Sequence, residues 1–309
     1  MSRVTVIIPS WNGRHLLPFC LAGVKLQDEP DLDILVVDNG STDGTASWLS
    51  RHWPQVRQHR LDRNHGFAAA VNHGLERTRR PFVLILNNDA ALGPGYISAL
   101  ADCLAQRPQA AACQGRILRH DDPSVVDSLG IQFDSTLRAF QSFHGRRDPG
   151  SSGGIRTIQG VGACAALYRR AALVQVAEPG SPPAVFEPSF FAYYEDVDLA
   201  LRLAAAGWTA HLVSRVASEH VGSATGLDGS WLKTYLLGRN YLLYLARHEG
   251  LSGLVHRAPH LMVRRLGRLL SGWVHPRREM ALTAGELAAL ARLGSAFFRV
   301  RRAGTSRRP

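Results

Sequence analysis

The stretch Val4-Thr5-Val6-Ile7-Ile8-Pro9-Ser10-Trp11-Asn12-Gly13 decides how the rest of the chain is read. It begins as a short β-branched apolar run and ends in polar turn formers. The same form returns twice. Ile34–Val37 leads into Asp38-Asn39-Gly40-Ser41-Thr42-Asp43-Gly44, and Phe82–Leu86 leads into Asn87-Asn88-Asp89. Continuous runs of this kind suit strands buried on both faces, as in a parallel sheet. Helical spacing fills the intervals: Leu16, Leu17, Cys20, Leu21 and Val24; then Phe67, Val71 and Leu75; then Ile97, Leu100, Ala101 and Leu104. Alternating strands and helices predict an α/β fold with a doubly wound sheet.

Outward from this half the pattern loosens. Residues 115–160 are irregular, and Asp148–Gly154 reads as a flexible loop. Alternation returns near Ile155–Tyr168. Residues 178–190 are rich in Pro, Gly and Ser and read as a mobile loop beside a site. Glu195–Ala206 reads as a helix stopped by Gly207, with a strand at Ala210–Val213 after it. From Trp231 onward the pattern is helical. The expected organisation is a catalytic domain over 1–228, in halves of about 1–115 and 116–228. A basic amphipathic helical region follows over 229–298, and a disordered basic tail over 299–309.

The 309 residues are 45% apolar and 20% charged, which suits a folded protein with a sizeable core. The net charge of +11 is uneven. Twelve arginines face only Glu279 and Glu286 from residue 251 onward, so ten of the eleven net charges lie there. Leu251, Leu254, Val255, Leu261, Met262, Leu266, Leu269 and Trp273 form an apolar stripe, with Arg257, Arg264 and Arg268 mostly off it. This suits an interfacial helix on an anionic membrane. It equally suits a helical cap with a solvated basic face. No nucleic-acid-binding motif accompanies the charge, so no nucleic-acid partner is expected. Cys20, Cys103, Cys113 and Cys164 lack ligand or framework spacing and read as reduced thiols. No leader-like segment is visible, and no apolar run reaches the ~18 residues of a spanning helix. The expectation is a cytoplasmic protein, with any membrane contact peripheral, on the inner face of the plasma membrane.

Sheets of this kind bind ligands at the carboxyl ends of their strands. Three polar clusters at three strand ends would line one crevice. Each alone is also ordinary turn or cap chemistry. A carboxylate at Asp38 could accept from the N–H of a pyrimidine base. Asn64-His65-Gly66-Phe67 precedes a helix whose N-terminus would suit a diphosphate, or is a plain turn and cap. Asp89 is a hard oxygen ligand for Mg²⁺ or Mn²⁺, and a diphosphate can complete such a shell. Glu195-Asp196-Val197-Asp198 follows the aromatic run Phe190, Phe191, Tyr193 and Tyr194. Acids there complement a helix N-terminus, or supply a general base partly desolvated by aromatic walls.

Taken together, the clusters resemble the family 2 inverting glycosyltransferases with the GT-A fold, over about residues 3–245. The resemblance rests on eight segments in order: VTVIIPSWNG (4–13), ILVVDNGSTDGT (34–45), NHGFAAAVNHGL (64–75), VLILNNDA (83–90), GVGACAALYRR (160–170), FFAYYEDVDLALRLAAAGW (190–208), EHVGSATG (219–226) and GRNYLLYLARH (238–248). The wording is most similar to the rhamnosyltransferase branch. The resemblance implies a Rossmann-like, mainly parallel mixed sheet flanked by helices, with a C-terminal helical extension. It implies Pro9, Ser10, Trp11 and Asn12 against the nucleotide, Asp38 on the pyrimidine, and Asn64 and Gly66 near base and ribose. Asn87, Asn88 and Asp89 stand where the family often has Asp-x-Asp, with Asn87 in place of the first aspartate. Asp89 and His220 would hold a divalent cation, Mg²⁺ or Mn²⁺. Asp196 would be the catalytic base with Glu195 beside it, and Arg239 would lie near the diphosphate.

The implied reaction is sugar transfer from a nucleotide diphosphate sugar to a hydroxyl, with inversion. dTDP-rhamnose is the favoured donor, with UDP-sugars open. The acceptor would be a growing surface polysaccharide, as in cell-wall synthesis, or a lipid-linked glycan. Two other classes fit the residues less well. A non-catalytic nucleotide-sugar-binding protein would not need both Asp89 and Asp196. A nucleotidyltransferase would want a Gly-rich, lysine-bearing loop where this chain has PSWNG.

Overall fold

A computed structural model describes residues 3–30, 32–134, 137–180, 183–222, 230–270 and 276–305. The chain divides into two compact units, one of residues 1–134 and 139–225, the other of 135–138 and 226–309.

The first unit opens with β1 (Val4–Ser10), α1 (Leu17–Lys25), β2 (Asp33–Asp38), α2 (Thr45–His52), β3 (Arg57–Arg60), α3 (Phe67–Glu76) and β4 (Phe82–Leu86). β1 pairs in parallel with β2 on one side and β4 on the other, and β2 pairs in parallel with β3. Next come β5 (Ala90–Leu92), α4 (Tyr96–Gln106) and β6 (Ala110–Arg119). Three short strands follow, β7 (Val126–Ser128), β8 (Ile131–Phe133) and β9 (Ala139–Gln141). The unit closes with β10 (Ile155–Ile158), β11 (Ala165–Arg169), α5 (Arg170–Gln175), α6 (Glu195–Ala205) and β12 (Thr209–His220). The main sheet runs β10-β12-β6-β11-β4-β1-β2-β3, with β5 on β12 and β7 on β6. It is mixed, because β11 is antiparallel to both β4 and β6.

The continuous apolar runs are explained by two cores, one on each face. Val4, Val6 and Ile8 of β1 point to the layer of α1, α2 and α4, while Ile7 points to that of α3, α5 and α6. Val36 against Leu35 and Val37 repeats the alternation in β2, and Leu84 against Val83 and Ile85 repeats it in β4. Each such side chain is worth ~1.5–3 kcal/mol when buried, so both faces must stay covered. Gly74 lets α3 approach closely, since a Cβ there would come within 2.5 Å of Ile7 Cγ2.

β12 is longer than the four residues the alternation suggests. It pairs with β6 in two stretches separated by a bulge, and its end, Ser218–His220, pairs with Leu92–Ala90 of β5. β3 (sequence RQHR) is an edge strand with mostly exposed side chains, so no apolar run marks it.

The second unit contains α7 (Trp231–Leu270) and α8 (Pro276–Thr305). Gly250, at φ 70° and ψ −176°, interrupts α7. α8 takes in the first part of the basic stretch at 299–309, whose last four residues lie outside the described ones.

Candidate active site

Sheet order brings the ends of β2, β1 and β4 side by side, and the side chains there interlock. At the end of β2, Asp38 is 1% exposed. Its Oδ1 accepts from the Ser41 amide at 2.9 Å. Its Oδ2 is buried without a hydrogen-bond partner, and Arg60 Nη1 lies 3.8 Å away. A buried carboxylate oxygen of this kind favours a donor N–H.

Asn39, a turn former by residue type, ties this strand end to the next loop. Its amide donates to Asn64 Oδ1 at 3.0 Å and to the Gly66 carbonyl at 3.1 Å, and its Oδ1 accepts from the His65 amide at 2.9 Å. Asn64 Oδ1 also accepts from the Gly66 amide. Gly66 adopts φ 87°, and a Cβ there would come within 2.5 Å of the Phe191 carbonyl. The loop ahead of α3 therefore lies directly against the aromatic run ahead of α6.

At the end of β1, Pro9 is buried, Trp11 is 39% exposed, and Asn12 turns the chain at φ 49°. Asn12 accepts from the Thr42 amide at 2.8 Å, and its own amide donates to Ser41 Oγ. Ser10 Oγ accepts from Asn88 Nδ2 at 3.1 Å. A Cβ on Gly13 would overlap both of those groups, so the glycine is required there.

The end of β4 carries Asn87, Asn88 and Asp89. Asn87 donates its amide to the Cys164 carbonyl at 2.7 Å, and its side-chain Oδ1 is buried without a hydrogen-bond partner. Asp89 is 5% exposed, with its Oδ1 3.2 Å from His220 Nε2. The pairing of His220 with Ala90 sets that approach. His220 Nδ1 lies 2.8 Å from Asp127 Oδ2. Burial opposes a positive ring, but Cys164 and the carboxylates of Asp127 and Asp89 outweigh it, so His220 is driven well above its ordinary range.

Among the described residues, no three His, Cys, Asp or Glu side chains are grouped to hold a metal ion. Asp89 and His220 converge as a pair instead. A carboxylate oxygen and an imidazole nitrogen suit Mn²⁺, or Mg²⁺ less well, when phosphate oxygens and water complete the shell. The donor set therefore fits a cation shared with a diphosphate.

The N-terminus of α6 is reached through strained backbone: Phe191, Tyr193 and Tyr194 have φ of 66°, 69° and 74°. Such values in bulky residues cost of order 1–3 kcal/mol each and persist only where the surroundings impose them. Glu195 is buried, and its Oε2 has no hydrogen-bond partner. Burial first, then Asp196 and Asp198, push its carboxyl well above the ordinary range. Asp196 is partly exposed. Its Oδ2 accepts from the Ala163 amide at 3.3 Å and its Oδ1 from the Val197 amide at 2.8 Å. Burial raises its pKa against the pull of those amides. Asp198 differs: it is fully buried and pairs with Arg202 at 2.8 Å, a structural contact within α6.

Consecutive residues join these groups. Ala163 holds Asp196, while the carbonyl of Cys164 holds Asn87. The loop at 178–190 is anchored by Asn72, which bonds the Phe186 carbonyl and both the Val185 and Phe186 amides. Residues 181 and 182 of that loop, and the part of the EHVGSATG segment beyond 222, lie outside the described residues. Arg239 is carried on α7 in the second unit, where it donates to Asn240 and lies 5.9 Å over the Tyr235 ring.

The mixed, mainly parallel sheet flanked by helices is a GT-A-like fold. The chain belongs to glycosyl transferase family 2, whose model matches residues 5–176. It is 30% identical over 285 residues to the N-acetylglucosaminyl-diphospho-decaprenol L-rhamnosyltransferase of Mycobacterium tuberculosis, covering 82% of this chain and 90% of that protein. The structure is similar to the mannosyltransferase PcManGT of Pyrobaculum calidifontis, solved with GDP-Man and Mn²⁺. The TM-score is 0.56 at 19% identity, over 94% of this chain and 87% of that one. It is also similar to the 1–349 portion of S. aureus TarS, with TM-score 0.54 at 16% identity, over 82% of this chain and 68% of that one.

Proposed function

We propose that this glycosyltransferase moves L-rhamnose from dTDP-rhamnose to a hydroxyl of a lipid-linked diphospho-sugar, with inversion, in cell-wall polysaccharide synthesis. The carrying observation is that a carboxylate able to act as base, Asp196, and the strand end bearing Asp89 are held by the adjacent residues Ala163 and Cys164. The M. tuberculosis relative supports the sugar and the acceptor class. The unpartnered Asp38 Oδ2 supports a pyrimidine whose N3 carries hydrogen.

In this reading Asp38 accepts from the base, and Asn64 and Gly66 border the ribose. Ser10, Asn87 and Asn88 line the floor of the donor site between Pro9 and Trp11–Asn12. Asp196 takes the proton of the acceptor hydroxyl as its oxygen attacks the anomeric carbon from the face opposite the diphosphate. One displacement inverts that carbon. Burial and the neighbouring Asp196 favour the neutral form of Glu195, which keeps a second negative charge away from the base. Asp89 and His220 would hold a divalent cation, which when bound offsets charge on the departing diphosphate.

The second unit fits an acceptor in a membrane. No helix among the described residues is long and apolar enough to cross one. Leu251, Val255, Met262, Val263 and Leu266 are nevertheless exposed along α7, in the most arginine-rich part of the chain. That combination suits peripheral contact with anionic lipid.

The test is calorimetric titration of dTDP-rhamnose, UDP-glucose, UDP-galactose, UDP-N-acetylglucosamine and GDP-mannose, each with Mn²⁺, Mg²⁺ or chelator. The expected result is metal-enhanced binding of dTDP-rhamnose, weakened in Asp38→Ala and Asp89→Ala. Preference for a purine donor, or binding indifferent to both substitutions, would overturn the reading.

A further inference from the structure

We infer that Asp127 is a positioning residue that sets His220 to present its Nε2 lone pair toward Asp89, and so determines how tightly the site takes a divalent cation. The inference rests on the Asp89–His220 reading proposed above.

The geometry is a line of three groups, with the Cys164 thiol beside the ring. Asp127 Oδ2 lies 2.8 Å from His220 Nδ1, and His220 Nε2 lies 3.2 Å from Asp89 Oδ1. A carboxylate can only accept, so Nδ1 must carry the hydrogen facing Asp127. In the neutral ring Nε2 is then an acceptor, and it faces another acceptor, Asp89 Oδ1. Two acceptors at that separation need either a second proton or a cation between them. Asp127 thus selects the form of the ring that can share a cation with Asp89. Without it, the ring can place its single hydrogen on Nε2, donate to Asp89, and close the seat.

Asp127 is itself held in place. It is the middle residue of β7, and its neighbour Val126 exchanges bonds with the Arg146 carbonyl and the Gly145 amide at 2.8 Å each. His144 Nδ1 donates to the Asp127 carbonyl at 2.8 Å and lies 3.4 Å from its Oδ1. The following residue, Ser128, donates to Gln141 at 2.5 Å. A carboxylate on a strand fixed on both sides can orient a ring. The two side chains are 93 positions apart in the sequence, and the fold alone brings them together.

The test uses the full chain and follows Mn²⁺ by the EPR signal of the free ion, in the presence of dTDP. Wild type, Asp127→Asn, Asp127→Ala and His220→Ala are compared, with circular dichroism to confirm folding. Removing an outer partner of a metal-bound histidine weakens metal affinity about 10- to 100-fold. Asp127→Ala should show a loss in that range. Asp127→Asn should lose less, because its amide oxygen can still accept from Nδ1. dTDP affinity in chelator should stay at the wild-type value in both, which separates positioning from general damage. Normal Mn²⁺ affinity in Asp127→Ala with weakened affinity in His220→Ala overturns this inference and leaves the Asp89–His220 reading standing. Normal affinity in His220→Ala overturns both. Should Asp127→Ala fail to fold, the comparison of Asp127→Asn with wild type decides, and equal affinity overturns the inference.

Discussion

Replacing Asp38 by Asn changes one hydrogen-bonding group on a buried side chain and removes the charge that faces Arg60 Nη1 at 3.8 Å. The amide oxygen can keep the bond from the Ser41 amide that Oδ1 now accepts at 2.9 Å. The amide nitrogen then occupies the place of Oδ2, the oxygen that accepts no hydrogen bond among the described residues. A thymine or uracil N3–H directed there would meet a donor instead of an acceptor. The bond lost is one to a charged group, worth about 1.5–3 kcal/mol. That corresponds to about a 10- to 150-fold weaker dissociation constant for dTDP or UDP. Cytosine has an acceptor at N3, so the variant should lose its discrimination against CDP. Isothermal titration of dTDP, UDP and CDP against both proteins measures this directly, with thermal unfolding to show that the variant is folded. Binding of dTDP within about twofold of wild type would refute the assignment of Asp38 to the base. Equal losses for dTDP and CDP would refute the hydrogen-bond argument.

Three further outcomes concern the site and a fourth concerns α7. The base must be ionised to act, and burial raises the Asp196 pKa. kcat/KM should therefore fall as pH drops through a value above the ordinary carboxylate pKa of about 3.9. Asp196→Asn should abolish transfer while donor affinity by calorimetry stays normal. Glu195 is also raised. Between its ordinary pKa of about 4.3 and its raised value, the folded chain holds a proton that the unfolded chain releases, so stability falls as pH rises across that window. Glu195→Gln should then melt progressively above wild type as pH rises toward neutral; a pH-independent difference in Tm would count against the assignment. Finally, the protein should sediment with vesicles containing anionic lipid and not with zwitterionic ones, less so in high salt. Val255→Asp with Met262→Asp should reduce the bound fraction, and an unchanged fraction would remove α7 from that role.

The first half of the fold was legible because the central residues of β1, β2 and β4 are buried on both faces and so are mostly apolar in a row. The exposed edge strand β3 was not, and of the bulged strand β12 only Ala210–Val213 was, since pairing rather than hydrophobicity defines the rest. Candidate site residues at strand ends, such as Asp38 and Asp89, were visible as polar clusters at equivalent positions. Asn39 sat in one of those clusters but was hidden as a turn former, because its role lies in bonds to Asn64, His65 and Gly66 some 25 positions on. Asp127 was hidden more deeply. It lies in the irregular stretch between β6 and β10, and only the distant contact with His220 gives it meaning. The aromatic run before α6 was read as site walls, but its left-handed backbone at Phe191, Tyr193 and Tyr194 has no signal in residue type.

The account is tested most directly by the anomeric configuration of the product. The full chain would be incubated with dTDP-rhamnose, Mn²⁺ and a synthetic N-acetylglucosaminyl-diphospho-lipid, and the product's glycosidic linkage assigned by NMR. The account predicts a rhamnosyl product of configuration opposite to the donor's, absent with Asp196→Asn. A product that keeps the donor's configuration, or one formed equally well by Asp196→Asn, would contradict it.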